Sequence, residues 1–148
     1  MRKRVCIALA ILWMGVIFYM SNQPATISSI HSGNTISLIS KLPLIGDIME
    51  YLMSINIGEF IVRKSAHMFS YCILAILLFM SVYEKDIKRS SIISFLGTFL
   101  YACSDEFHQL FIPGRSGEIR DVMIDSMGGI IGIIIISLIL KNRYITKK

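Results

Sequence analysis

The sequence predicts an all-α, polytopic membrane protein, with four transmembrane helices in a bundle and a short amphipathic helix at the outer face. Three observations carry this expectation. The 148 residues are 54% hydrophobic and only 17% charged, where a soluble domain carries about a quarter charged residues. Mean hydropathy is +0.65, and the apolar residues gather in long runs separated by charged connections. Those connections are unequal. Arg2, Lys3, Arg4, Lys85, Lys88, Arg89, Lys141, Arg143, Lys147 and Lys148 fall on one side with only Glu84 and Asp86, while Lys41, Arg63, Lys64, Arg115, Arg120 and the remaining acids fall on the other. Lys and Arg are retained on the cytoplasmic side of a membrane, so both termini are expected in the cytoplasm, which requires an even number of spans. The length suits one domain over residues 1–148. A net charge of +5 would point to nucleic acid in a soluble chain, but here the charges sit between apolar runs and no nucleic-acid motif accompanies them.

The first run, residues 5–20, is short for a span of about 20 residues, so snorkelling Arg4 and the polar Ser21-Asn22-Gln23 end complete it. Arg2, Lys3 and Arg4 before an apolar run also fit a signal peptide. Ser21-Asn22-Gln23-Pro24-Ala25 offers no small-x-small cleavage pattern, and a retained helix is expected. Residues 21–59 form the outer connection, rich in Ser, Thr, Asn and Gly at first, with a turn at Pro43-Leu44-Ile45-Gly46. Beyond it Ile45, Ile48, Met49, Leu52 and Met53 follow helical spacing, with Asp47, Glu50 and Ser54 opposite, as in a short helix lying on the membrane or capping the bundle. The second span is expected over 60–83, the third over 90–112 and the fourth over 121–140. Gly128, Gly129 and Gly132 in the fourth leave one face without side chains, so a neighbouring helix can approach closely, within the bundle or from a second copy, with the bundle favoured. Cys6, Cys72 and Cys103 lie inside apolar runs and are read as buried small hydrophobes.

The chemistry gathers where lipid is expected. Lys64, His67 and Tyr71 share one helical face; Asp105, His108 and Gln109 share another, with Glu106 adjacent; Asp121 and Asp125 stand one turn apart. All fall in the outward halves of their helices. A charged group at the bilayer centre costs about 2.5–3.5 kcal/mol on insertion scales, so these groups are expected to face inward and pair. Arg63, Lys64 and Arg115 stand against Asp105, Glu106, Asp121 and Asp125, and the turn Phe111-Ile112-Pro113-Gly114-Arg115 returns Arg115 over the cluster. The plain reading is an ion-pair network that holds the bundle shut. So many ionisable groups at one depth favour a functional site. The candidate catalytic residues are His67, Asp105, Glu106, His108 and Asp121, with His108 as an acid/base oriented by Asp105 or Asp121. The candidate ligand-binding residues are Arg63, Lys64, Gln109, Arg115 and Asp125. Asp105-x-x-His108 looks like half of a carboxylate-bridged di-metal motif, which His67 with Asp121 or Asp125 would complete. Only one half-motif is present and Arg63, Lys64 and Arg115 oppose a cation, so no metal ligand is assigned and no cofactor is named.

Arg63-Lys64-Ser65-Ala66-His67, Tyr71, Asp105-Glu106-Phe107-His108-Gln109 and Pro113-Gly114-Arg115 together resemble the VanZ-like family of bacterial membrane proteins. Asp121 with Asp125, the Gly128 to Gly132 run and Ser21-Asn22-Gln23-Pro24 extend the resemblance over nearly the whole chain. Two positions depart from the family pattern: Met68 stands where an aromatic often follows the histidine, and Asp125 where Asn is common, which adds a negative charge. The resemblance implies a cell-membrane protein associated with antibiotic resistance, namely low-level resistance to teicoplanin and related lipid-bearing glycopeptides. It identifies no reaction. The expected partners are membrane lipid and a lipid-linked cell-wall precursor or lipoglycopeptide, with no nucleic acid. Two other functions stand beside this one: a membrane-embedded enzyme acting on a lipid-linked cell-envelope substrate, and a structural bundle without chemistry.

Overall fold

A computed structural model describes residues 2–43 and 45–145, with side chains described from residue 3 to residue 142 except at 44. Leu44 of the expected turn, the side chains of Arg2 and Arg143, and Lys147 and Lys148 of the basic set lie outside that description. The described residues form six helices and no strand: α1 (Arg2–Ser21), α2 (Ala25–Ile39), α3 (Ile45–Ser54), α4 (Gly58–Val82), α5 (Ile87–Gln109) and α6 (Ile119–Ile145).

Among the described residues, three helices are long and apolar enough to cross a membrane: α1 over Lys3–Ser21, α4 over Gly58–Val82 and α6 over Ile119–Asn142. This corrects the expectation of four transmembrane helices: α5, the expected third span, is not among them. α5 is long enough, since its 23 residues measure about 35 Å at 1.5 Å each. It is diluted by Ser90, Ser91, Ser94, Thr98, Ser104, Asp105, Glu106 and Gln109. Those residues are arranged in an inside-out way. Ser90, Ser94, Thr98, Ala102, Asp105, Glu106 and Gln109 are buried in the bundle, whereas Leu96 (51% exposed), Leu100 (65%) and Phe107 (64%) face outward. The helix starts where Asp86 caps it, the carboxylate accepting the Arg89 backbone N–H at 2.9 Å. It ends at Gln109, so Phe111 and Ile112 belong to the following turn and not to the span.

A second correction concerns α2. The Ser-, Thr-, Asn- and Gly-rich stretch read as irregular connection is a 15-residue helix. Its residues are weak helix formers taken singly, and its helicity comes with docking: α2 packs on α4 and α3, burying Ser32 and Ile36. α3 matches the expected short helix, with Met49 buried and Ile45, Ile48 and Met53 left exposed on its apolar side. The cysteines are unbridged and half-buried, more exposed than expected.

α4 is the hub, packing against every other helix. Its closest partner is α6. A β-carbon on Gly128 would collide with the Met68 carbonyl oxygen, and one on Gly132 with that of Cys72, while Gly129 faces Thr98 and Ala75. The glycine face thus serves packing within the bundle. Helices in lipid gain little from burying apolar side chains, so close backbone approach supplies the contact instead. A buried apolar cluster forms around Ile17, Tyr71, Leu74 and Ala102, flanked by Trp13, Met14, Leu78, Tyr101 and Val122. Polar bonds reinforce it. Trp13 Nε1 donates to the Ser70 carbonyl at 2.9 Å, Tyr101 Oη to the Met14 carbonyl at 2.6 Å, and Ser94 Oγ to the Ala75 carbonyl at 2.6 Å.

The two ends of the bundle differ. Lys3 pairs with Glu84, tying the start of α1 to the turn after α4; that hydrogen bond and the ammonium charge hold the Glu84 carboxyl below its usual range. At the other end the start of α4, the end of α5, the start of α6 and the end of α1 converge, and here the ionisable residues collect.

The glycine contacts predict an asymmetry between glycines. Gly132→Val should destabilise the bundle by about 1–3 kcal/mol through overpacking, lowering its midpoint in a detergent unfolding titration. Gly15→Ala, where a β-carbon meets nothing within 4 Å, should leave the midpoint unchanged or raise it by the helix propensity of Ala, up to about 1 kcal/mol. Equal effects would contradict this packing.

Candidate functional site

The site is built from both ends of a chain reversal. Ile112, Pro113, Gly114 and Arg115 form a tight turn closed by Arg115 N–H to the Ile112 carbonyl at 3.1 Å. Pro113 fixes the second position and Gly114, at φ +75°, supplies the left-handed third. The turn was expected to return Arg115 over the acid cluster; its guanidinium instead bonds Gln109 and two backbone carbonyls at the end of α1. Its Nη1 donates to Gln109 Oε1 at 3.2 Å, its Nε to the Gln23 carbonyl at 2.9 Å and its Nη2 to the Met20 carbonyl at 3.3 Å. Burial lowers the Arg115 pKa, Asp105 opposes that shift, and Arg63 adds to it.

Gln109 transmits the contact inward. Its Nε2 lies 3.3 Å from Asp105 Oδ2 and 3.4 Å from Glu106 Oε1. The Tyr71 hydroxyl donates to the same Asp105 Oδ2 at 3.2 Å. Glu106 Oε2 accepts the Glu118 backbone N–H at 2.9 Å, which fixes the chain entering α6. On the far side Lys64 pairs with Asp121, with Phe60 beneath its ammonium at 5.5 Å. His67 Nδ1 stands 3.5 Å from Asp125 Oδ1. Eight of the ten candidate residues are linked in this way. Arg63 is close by, half-buried, with no hydrogen bond or ion pair among the described residues.

His108 is placed differently. Its Nε2 lies 3.2 Å from Asn22 Oδ1 and its ring packs on Phe18 at 4.7 Å between centroids. It contacts the end of α1, so the histidine drawn against Asp105 is His67, from α4. Asp105 Oδ1, Asp121 Oδ1 and both carboxylate oxygens of Asp125 are buried without a hydrogen-bond partner among the described residues. One ligand atom from each of His67, Asp105 and Asp125 lies within 4.8 Å of the others, a spacing able to hold a metal ion.

Two cavities meet at this cluster. One, of about 130 Å³, is polar and is lined by Phe60, Lys64, Gln109, Glu118, Arg120 and Asp121, together with Arg63, His67 and Arg115. The other, of about 530 Å³, runs between α1, α2 and α4. Val16, Ile17, Met20, Ile39, Met49, Ile61 and Phe69 make its walls mainly apolar, and it reaches the same Arg63, His67 and Arg115. Sequence reasoning missed this second cavity because one wall is α2, which it had not read as a helix.

A helical protein with helices long and apolar enough to cross a membrane, an apolar exterior and a cluster of buried acids beside half-buried histidine and arginine is the class that fold and site define. The chain belongs to the VanZ/LLP1 family, whose model matches residues 6–140. No curated protein and no solved structure gives a significant match.

The Lys64–Asp121 pair predicts a reversal. Lys64→Met or Asp121→Leu alone strands a nearly buried charge and should cost about 3–5 kcal/mol, with lower membrane abundance on an immunoblot. The double variant should recover most of that loss, because neither charge remains unpaired. No recovery would show that one of the two acts outside the pair.

Proposed function

We propose that the protein is a four-span protein of the cell membrane, with both termini cytoplasmic, that takes up an amphiphile from the outer leaflet and thereby confers low-level protection against teicoplanin-type lipoglycopeptides. The observation that carries this reading is the junction of the two cavities at Arg63, His67 and Arg115. A tail lies in the apolar chamber and an anionic head group in the polar one. Arg63 is free to fork onto a phosphate or carboxylate, whereas Lys64 and Arg115 are already engaged within the protein. The inside-out pattern of α5 supports its service as the fourth span, since its exposed face is apolar. The basic Lys3, Arg4, Lys85, Lys88, Arg89 and Lys141 at the opposite end support an inward-facing terminus pair.

The cluster also supports a second reading, a membrane-embedded enzyme acting on a lipid-linked envelope substrate. Its acid/base is then His67 beside Asp125, and not His108.

The test is a susceptible Gram-positive host expressing wild type, Arg63→Ala, Arg115→Lys and the chamber-filling Ala66→Phe at matched membrane levels. Wild type should protect against teicoplanin and leave vancomycin, which has no acyl chain, unaffected. Each variant should lose most of that protection. Unchanged teicoplanin susceptibility with well-expressed wild type would refute the resistance reading, and equal protection against both drugs would refute the role of the acyl chain.

A further inference from the structure

Among the described residues, Asp125 is a buried acid whose near neighbour is the His67 imidazole, 3.5 Å away. Its side chain is fully buried, and neither carboxylate oxygen has a hydrogen-bond donor among the described residues. Asp105 faces the same point with a free Oδ1. Of the cations that the sequence sets against these acids, Arg63 pairs with neither among the described residues, and the other two are committed elsewhere. Lys64 is taken by Asp121, and Arg115 by Gln109 and the Met20 and Gln23 carbonyls. Burying two carboxylates side by side with only the His67 imidazole, 3.5 Å from Asp125 Oδ1, to offset them is expensive.

We infer that His67, Asp105 and Asp125 bind one divalent first-row transition-metal ion. The three supply one donor each from α4, α5 and α6, and their ligand atoms lie within 4.8 Å of one another. A single ion with bonds of about 2.0–2.2 Å draws imidazole and carboxylate donors from that spacing with small side-chain movements. Two carboxylates balance its charge, and the imidazole favours a transition metal over Mg²⁺ or Ca²⁺. The surroundings are those of a supported ligand. Tyr71 and Gln109 both bond Asp105 through Oδ2, which orients the carboxylate and leaves Oδ1 turned to the ion. His67 also borders both cavities, so the remaining coordination positions open toward space that takes water or a ligand oxygen. This inference needs only the three side chains and stands or falls apart from the amphiphile reading.

The test uses the full-length protein in mild detergent, stripped with EDTA and titrated with Co²⁺ followed by visible absorption, then with Zn²⁺ in competition. Wild type should bind one Co²⁺ per chain, displaced by Zn²⁺. Asp125→Asn should weaken binding more than tenfold, and Tyr71→Phe about tenfold through the unsupported Asp105. His31→Ala, outside the trio, should bind as wild type does. Zn²⁺ should raise the thermal midpoint of wild type and not that of Asp125→Asn, which folds without a buried charge to satisfy. Absence of saturable binding by folded wild type would overturn the site, as would binding that survives Asp125→Asn or is lost with His31→Ala. A stabilised Asp125→Asn together with metal-indifferent wild type would assign the buried charge to a shared proton instead.

Discussion

The contact between α4 and α6 sets the register on which everything at the polar end depends. Gly128 and Gly132 bring the two backbones close enough for α6 to rest on the Met68 and Cys72 carbonyls. The helices run in parallel from there, so the turns before the glycine contacts bring Asp125 to His67 and Asp121 to Lys64. A thicker side chain on the glycine face would push α6 away and separate both pairs at once. The packing determinant and the chemical determinant are therefore adjacent turns of one helix, and neither operates without the other.

α5 completes the arrangement by reversing the usual sense of amphipathicity. A helix of a soluble protein turns its apolar stripe inward; α5 turns Ser94, Thr98 and Asp105 inward and Leu96, Leu100 and Phe107 outward. In lipid this is the stable orientation, because an apolar side chain gains nothing by leaving hydrocarbon while a polar one gains a partner. Ser94 finds the Ala75 carbonyl and Asp105 finds Tyr71. Two of the polar residues that dilute the hydropathy of α5, Ser94 and Asp105, thus also bind it to α4.

Much of this was legible in the sequence, since one-dimensional signals suffice for it. The runs of α1, α4 and α6, the period of α3, the close-packing glycines and the turn at Pro113-Gly114 each declare themselves within a few residues. The face-sharing of Lys64 with His67 and Tyr71, and of Asp105 with Gln109, also follows from helical spacing alone. What escaped depends on rotation and docking. Asp105 and His108 share a face by spacing, yet that face is wide enough for His108 to turn to Asn22 and Phe18 on α1 while Asp105 turns to α4. Arg115 was expected over acids, but two of its three bonds go to backbone carbonyls at and just after the end of α1, which no charge count reveals. α2 escaped because its residues are weak helix formers taken singly and the surface it lies on, α4, is remote in the sequence pattern.

The apolar chamber has a consequence for how affinity is to be thought of here. Two of its walls are helices α1 and α4, each long and apolar enough to cross a membrane. On the proposed reading a guest reaches the chamber sideways out of the lipid, so its supply is measured as a mole fraction of the leaflet and not as a concentration in water. An acylated molecule scarce in solution is crowded in that thin layer, and a site of weak intrinsic affinity is then filled. The membrane does the collecting, and the protein has only to discriminate among what has already arrived.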